Sequence, residues 1–223
     1  MTLLSFASSA KPQSSIGCRG QRMPPATRTW RRTLSERAQV PSGSCYTPAT
    51  QGTEDALTLE PKAERPHMPA YGILQATEGT GLLPWTWAVE RLARSHDYWL
   101  ATVWPDGRPH VMPVWGVRAE DALWFSSAKN SRKARNLAHD PRAVMTTDDP
   151  LDPVVLDGLV RLVSEHENIA RFAAWVDEKY QTKYGMEFFD TASNGCFRLS
   201  PTWAFASREG DFTGSPTRWT FVQ

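Results

Sequence analysis

"WFSSAKNSRKARNLAHDPRAV", Trp124 to Val144, changes its pattern twice. It begins as the end of an apolar run, "ALWFSSA" (122–128), that reads as a strand closing on two hydroxyls, Ser126 and Ser127. A short helix, "SRKARNLAH", follows with Ser131 where an N-cap belongs. Asp140-Pro141 stops it, because the residue before proline is pushed out of the helical region. A new strand, "RAVMTT" (142–147), then starts. Arg132 and Lys133 stand in the first helical turn, where the helix dipole mildly disfavours positive charge. Two readings account for them: a capped surface helix with two solvated bases, or a site where an external anion sits between the cations and the free amides of the first turn.

Working outward, "YWLATVW" (98–104) and "HVMPVWGV" (110–117) flank a Pro-Asp-Gly turn and predict a hairpin. Pro113 removes one ladder hydrogen bond, so its strand belongs at an edge or where pairing is interrupted. Backbone groups left free there can meet the edge of a planar heterocycle. "PVVLDGLVRLVS" (153–164) alternates across Gly158, which suggests a bulge, and "GCFRLSPTWAFA" (195–206) supplies a sixth strand.

Two further helices are predicted. "LPWTWAVERLARSH" puts Trp85, Val89, Leu92 and Ala93 on one face, with Arg91 and Arg94 outside. "EHENIARFAAWVDEKYQTKYG" carries a stripe of Ile169, Phe172, Ala173, Val176 and Tyr180 and closes at Gly185. Six strands joined mostly by short turns give a mainly β (α+β) fold, a small six-stranded antiparallel barrel with peripheral helices.

Residues 1–66 are of another kind, rich in Ser, Thr, Pro, Gly and Arg, with no sustained period. They bury too little apolar surface to offset the entropy of ordering and are expected to be disordered, leaving 67–223 as the folded domain. The Arg-rich first forty residues have the composition of a transit peptide; the alternative is a start at Met68.

With 223 residues, 40% hydrophobic and 22% charged, the chain supports one packed domain. A formal charge of +1 gives no electrostatic case for nucleic acid, and no apolar run is long enough to span a membrane. Three widely spaced cysteines and histidines on separate elements argue against a disulfide framework or a metal site. The chain reads as soluble and cytoplasmic, and no Ser-His-Asp or Cys-His set marks a catalytic side chain.

From Tyr98 to about Phe205, the order of hairpin, "FSS" strand, "SRK" helix and "DPR" turn resembles the pyridoxamine 5'-phosphate oxidase-like split-barrel superfamily, in particular its short members that use FMN or the deazaflavin F420. The resemblance implies that His110, Val111, Met112, Pro113 and Val114 lie along the flavin. It also implies that Ser126 and Ser127 meet the ribityl chain and phosphate and that Arg132 and Lys133 are the phosphate-binding pair; the N-cap Ser131 is a further hydroxyl from which an anion at that turn would accept. It further implies a homodimer with the cofactor between protomers, Trp203 or Trp219 possible from the second chain, and a small-molecule substrate. The Arg/His set by which the vitamin-processing oxidases hold pyridoxal phosphate has no equivalent in "FRLSPTWAFASREGDF". FMN is the expected cofactor. F420 is the alternative, with Lys129 or Arg135 meeting its acidic tail, and a flavin- or haem-holding carrier or sensor is the non-catalytic alternative.

Overall fold

The computed structural model describes residues 60–189 and 192–221. The transit-peptide reading and residues 1–59 of the segment expected to be disordered lie outside them. The order of elements is β1 (Lys62–Glu64), α1 (Trp85–Arg94), β2 (Asp97–Val103), β3 (Pro109–Ala119), β4 (Ala122–Ala128), α2 (Arg132–His139), β5 (Arg142–Thr147), β6 (Val154–Val163), α3 (His166–Tyr180), α4 (Met186–Phe189), β7 (Asn194–Ala206) and β8 (Thr217–Thr220). All six expected strands form, as β2 to β7. They close an antiparallel barrel in the order β4-β3-β2-β5-β6-β7, with β7 returning to β4.

The barrel is filled by period-two alternation. Tyr98 and Leu100 of β2, Leu123 and Phe125 of β4, Met145 of β5, Leu156 and Val160 of β6, and Leu199 of β7 point inward and are buried. A second core lies outside the barrel wall, where Ile169, Phe172, Ala173 and Val176 of α3 cover Val117, Trp124 and Cys196. Two stacked layers thus share β4, whose successive residues face opposite ways.

β6 and β7 slip register at Asp157/Gly158, where Asp157 pairs with Trp203 and Gly158 with Pro201. The irregularity expected from Gly158 is therefore present, and it has a steric cause: a Cβ there would lie 2.2 Å from the Ser200 carbonyl oxygen. β3 and β4 join through Glu120 and Asp121, both with positive φ (49° and 55°), the conformation that lets a two-residue hairpin follow strand twist.

Four expectations are corrected. Ala93 is exposed; the buried positions of α1 are Ala88 and Leu92. α3 ends at Tyr180 with Gln181 left-handed (φ 54°), before Gly185, because the Asp177 carboxylate draws the chain away by accepting from Thr182 Oγ1, the Tyr184 amide and the Gly185 amide. The polar tail forms β8, pairing with β7 and β1. β1 itself lies before residue 67, tied down by Arg65, which donates to the carbonyls of Pro216, Gln75 and Gly214.

Gly158→Ala forces a methyl against the β7 backbone and is expected to cost about 1–3 kcal/mol. Urea denaturation checks it: the midpoint falls and the slope is unchanged.

Candidate functional site

β3 has two partners along only part of its length. It pairs with β2 from Pro109 to Trp115, but with β4 only from Gly116 to Ala119. The last β3–β4 rung is Gly116 opposite Phe125; the next, Trp115 opposite Ser126, does not form. β4 continues alone beside β7 through Ser126, Ser127 and Ala128. The barrel is split there, and the half-strand carrying Pro113 has a free edge toward the split, as the proline predicted.

On β3, His110, Met112 and Val114 share the face that continues into the barrel, where Val114 is buried. Val114 therefore offers the split its backbone alone. Val111 and Pro113 point to the outer face with Trp99 and Val103 of β2.

α2 closes one side of the split. Ser131 caps it, accepting from the Ala134 amide at 3.2 Å, and Ser127 Oγ lies 3.0 Å from Ser131 Oγ. Ser127, Ser131, Arg132 and Lys133 are thus brought together, whereas the Ser126 side chain goes to the other face of β4, toward α3. The amides of the first turn have no carbonyl within the helix to meet. Arg132 lies flat on Trp104, its Cζ 3.6 Å from the ring centroid, and Arg108 covers the same ring at 4.3 Å. Lys133 is half-buried, its pKa lowered by that burial, and no carboxylate of the described residues pairs with it or with Arg132. A half-buried cation without a counter-ion costs desolvation energy, which the Trp104 face offsets in part for Arg132 and no carboxylate of the described residues offsets for Lys133.

Beneath the head of α2, Asn136 Nδ2 donates to Thr102 Oγ1 at 3.0 Å, and Thr102 Oγ1 lies 3.3 Å from His110 Nδ1. With Asn136 donating, Thr102 Oγ1 still has both its hydrogen and a second lone pair for Nδ1, so the direction of that contact follows the imidazole tautomer. Asn136 is fully buried and its Oδ1 has no partner among the described residues. Trp104, Thr102 and Asn136 were not picked out by sequence reasoning. Only Trp104 carried a signal, an aromatic at the base of the "PDGR" turn.

On the α3 side, the missing rung opens into a cavity of about 250 Å³. Trp115 and Ser126 form its base, and Phe172, Val176, Tyr184 and Phe188 its walls. Trp219, considered above as a residue for a second protomer's site, is fully buried in its own barrel, and so it is not available for that role. Among the described residues no group of three His, Cys, Asp or Glu side chains is placed to hold a metal ion.

Residues 88–206, more than half the chain, match the family model described as pyridoxamine 5'-phosphate oxidase. The chain belongs to this family. A search of curated proteins gives no match. Similar solved structures include an F420 reductase, 26% identical over 52% of this chain and 93% of that one, with a TM-score of 0.44. A conserved hypothetical protein from Mycobacterium tuberculosis is 21% identical over 69% and 90%, with a TM-score of 0.49. The haem storage protein of Vibrio cholerae is 20% identical over 52% and 88%, at 0.46. With TM-scores below 0.5, none of the three bears on the activity.

In this member of the pyridoxamine 5'-phosphate oxidase family, the end of α3 caps β3 where its pairing with β2 ends. Beyond the start of β2, the Gly116 amide donates to Tyr180 Oη at 2.8 Å and the Gly116 carbonyl accepts from Lys179 Nζ at 2.8 Å. Tyr180 Oη donates on to the His96 carbonyl at 2.7 Å, and its ring stacks on Trp115 at 4.3 Å. Burial lowers the Lys179 pKa to about 8, partly opposed by Asp148 and Asp97.

A lysine whose folded pKa lies below its unfolded value destabilises the fold fully below the folded pKa, and the penalty lifts as pH rises toward the unfolded one. Lys179 therefore makes stability rise between about pH 8 and the ordinary lysine value of 10.5. Lys179→Met should flatten that rise relative to the unaltered protein, read as the urea midpoint across the same pH range.

Proposed function

We propose that the chain is a flavin-dependent oxidoreductase that holds FMN in the split between β3 and β4. The observation that carries this reading is the pair Arg132 and Lys133 at the head of α2, partly buried and with no carboxylate among the described residues paired to either. A phosphate dianion supplies what is lacking: it accepts from both cations, from the free amides of the first turn and from the hydroxyls of Ser127 and Ser131. Stacking on Trp104 fixes the Arg132 guanidinium beforehand, so less side-chain entropy is lost when the anion arrives. The free edge of β3 at His110 to Val114 offers backbone donors and acceptors to a planar heterocycle, and the His110 ring, joined to Asn136 through Thr102, stands beside it.

When bound, FMN supplies hydride exchange with a small substrate. The protein contributes binding, orientation and exclusion of water, and needs no nucleophile of its own. The same site suits F420, whose phosphate and ring edge pose the same demands, and Arg135, exposed on α2, is the nearest further cation on that helix for its acidic tail. The family resemblance implies that a second copy closes the cleft. Trp99, Val103 and Val111, half-exposed on the outer face of the β2–β3 hairpin, provide apolar surface for such a homodimer. Among the described residues no helix is long and apolar enough to cross a membrane.

The absorption spectrum of the purified protein and titrations with FMN and F420 test the proposal. A flavin spectrum and saturable FMN binding support it, tighter F420 binding moves it to the deazaflavin, and a Soret band with no affinity for either overturns it. Replacing both Arg132 and Lys133 with Ala should weaken cofactor binding by about 1.5–3 kcal/mol for each lost charged hydrogen bond. Circular dichroism should show the barrel intact, and unchanged affinity in that variant would remove the assigned phosphate site.

A further inference from the structure

Several features lie outside the phosphate site: the apolar hollow between α2 and β6, the corner at Arg91 and Asp148, the half-buried Lys179 and the cavity at the fork of the split. The last combines shape, chemistry and position. It opens where the Trp115–Ser126 rung is missing, so it begins one residue from Ser127, on the opposite face of β4 from the phosphate site. A group bound in it abuts the same split from the other side.

Its lining is aromatic and uncharged. Phe172 and Phe189 are buried and packed edge to face, whereas Trp115, Tyr184 and Phe188 are each more than two-fifths exposed, leaving ring surface without a protein partner. Tyr184 and Phe188 stack at 4.5 Å, and Trp115 is held by stacking on Tyr180, so the walls are rings fixed by other rings. A volume of about 250 Å³ admits one or two fused rings. The base carries one hydroxyl, Ser126 Oγ, which has no hydrogen-bond partner among the described residues. Among the described residues no carboxylate, guanidinium or ammonium lines the space, so a charged ligand would lose hydration there without compensation from them.

We infer that this cavity is the substrate subsite, and that it takes an uncharged planar aromatic group of one or two rings carrying an oxygen or nitrogen that bonds Ser126. The substrate role rests on the flavin reading above; the binding of such a ring does not. Offset and edge-on contacts with Phe188, Tyr184 and Trp115 supply affinity, and the Ser126 hydroxyl at the base supplies orientation.

The test uses 2-naphthol as probe in equilibrium dialysis against the full chain, with and without FMN, and 2-naphthalenesulfonate as the charged ring of the same shape. Saturable binding of 2-naphthol to both forms is expected, with the sulfonate weaker by about tenfold or more. Phe188→Ala and, independently, Tyr184→Ala should each weaken 2-naphthol roughly three- to tenfold, with folding checked by thermal melting. Release of 2-naphthol as FMN is added would assign the cavity to the cofactor's own ring and overturn the inference, leaving the flavin reading intact. No saturable binding, or binding that neither variant changes, overturns it as well, while FMN binding stands on its own titration. If FMN fails to bind and 2-naphthol still binds with the expected variant pattern, the aromatic site holds and the cofactor reading is the one that falls.

Discussion

Everything at the candidate site follows from the point where β3 and β4 part company. Up to Gly116 and Phe125 they are neighbours in one barrel wall; one residue further, β4 stays with β7 while β3 stays with β2. An interrupted ladder leaves polar backbone exposed and is costly unless something else occupies it. On the other edge of β3, where β2 begins, α3 meets that cost: Tyr180 Oη bridges the Gly116 amide and the His96 carbonyl, and Lys179 Nζ donates to the Gly116 carbonyl. Beyond the fork the free edge is available to a ligand.

Charge is distributed around that opening in a way that local stability alone does not favour. Cations at a helix N-terminus oppose the dipole, and Lys133 is half-buried besides. Elsewhere the chain pairs its exposed charges readily, as in Arg142 with Asp140 or Arg108 with Asp106. The contrast marks the head of α2 as a place where charge is held at a cost to local stability. β4 then serves as a partition. Its successive side chains alternate, so Ser127 faces the cations and Ser126 the aromatic cavity, and two chemically different compartments are built on adjacent residues.

The barrel strands were legible because each carries its own period-two pattern or an apolar run bounded by turn residues. The proline in β3 and the glycine in β6 marked irregularities that the structure places at the split and at the register slip. β1 and β8 were not legible: three and four residues with mixed polarity have no period to detect, and they exist because they pair with β7 and with each other. Ala93 misled because a small apolar residue fits the helical stripe while facing solvent. Gly185 misled because Asp177 ended α3 a turn earlier, by a side-chain contact that composition does not announce.

By itself the sequence determined the six strands, the three main helices, the cap at Ser131 and the conspicuous cations behind it, since these depend on neighbours along the chain. The tertiary structure alone decided that Arg132 rests on Trp104 of a distant hairpin, that Thr102, His110 and Asn136 form one hydrogen-bonded series, and that Ser126 and Ser127 serve opposite sides of the wall. The reason is physical: periodicity and caps are written within a few residues, whereas a cavity or a shared ring arises only when strands far apart in sequence are forced to diverge.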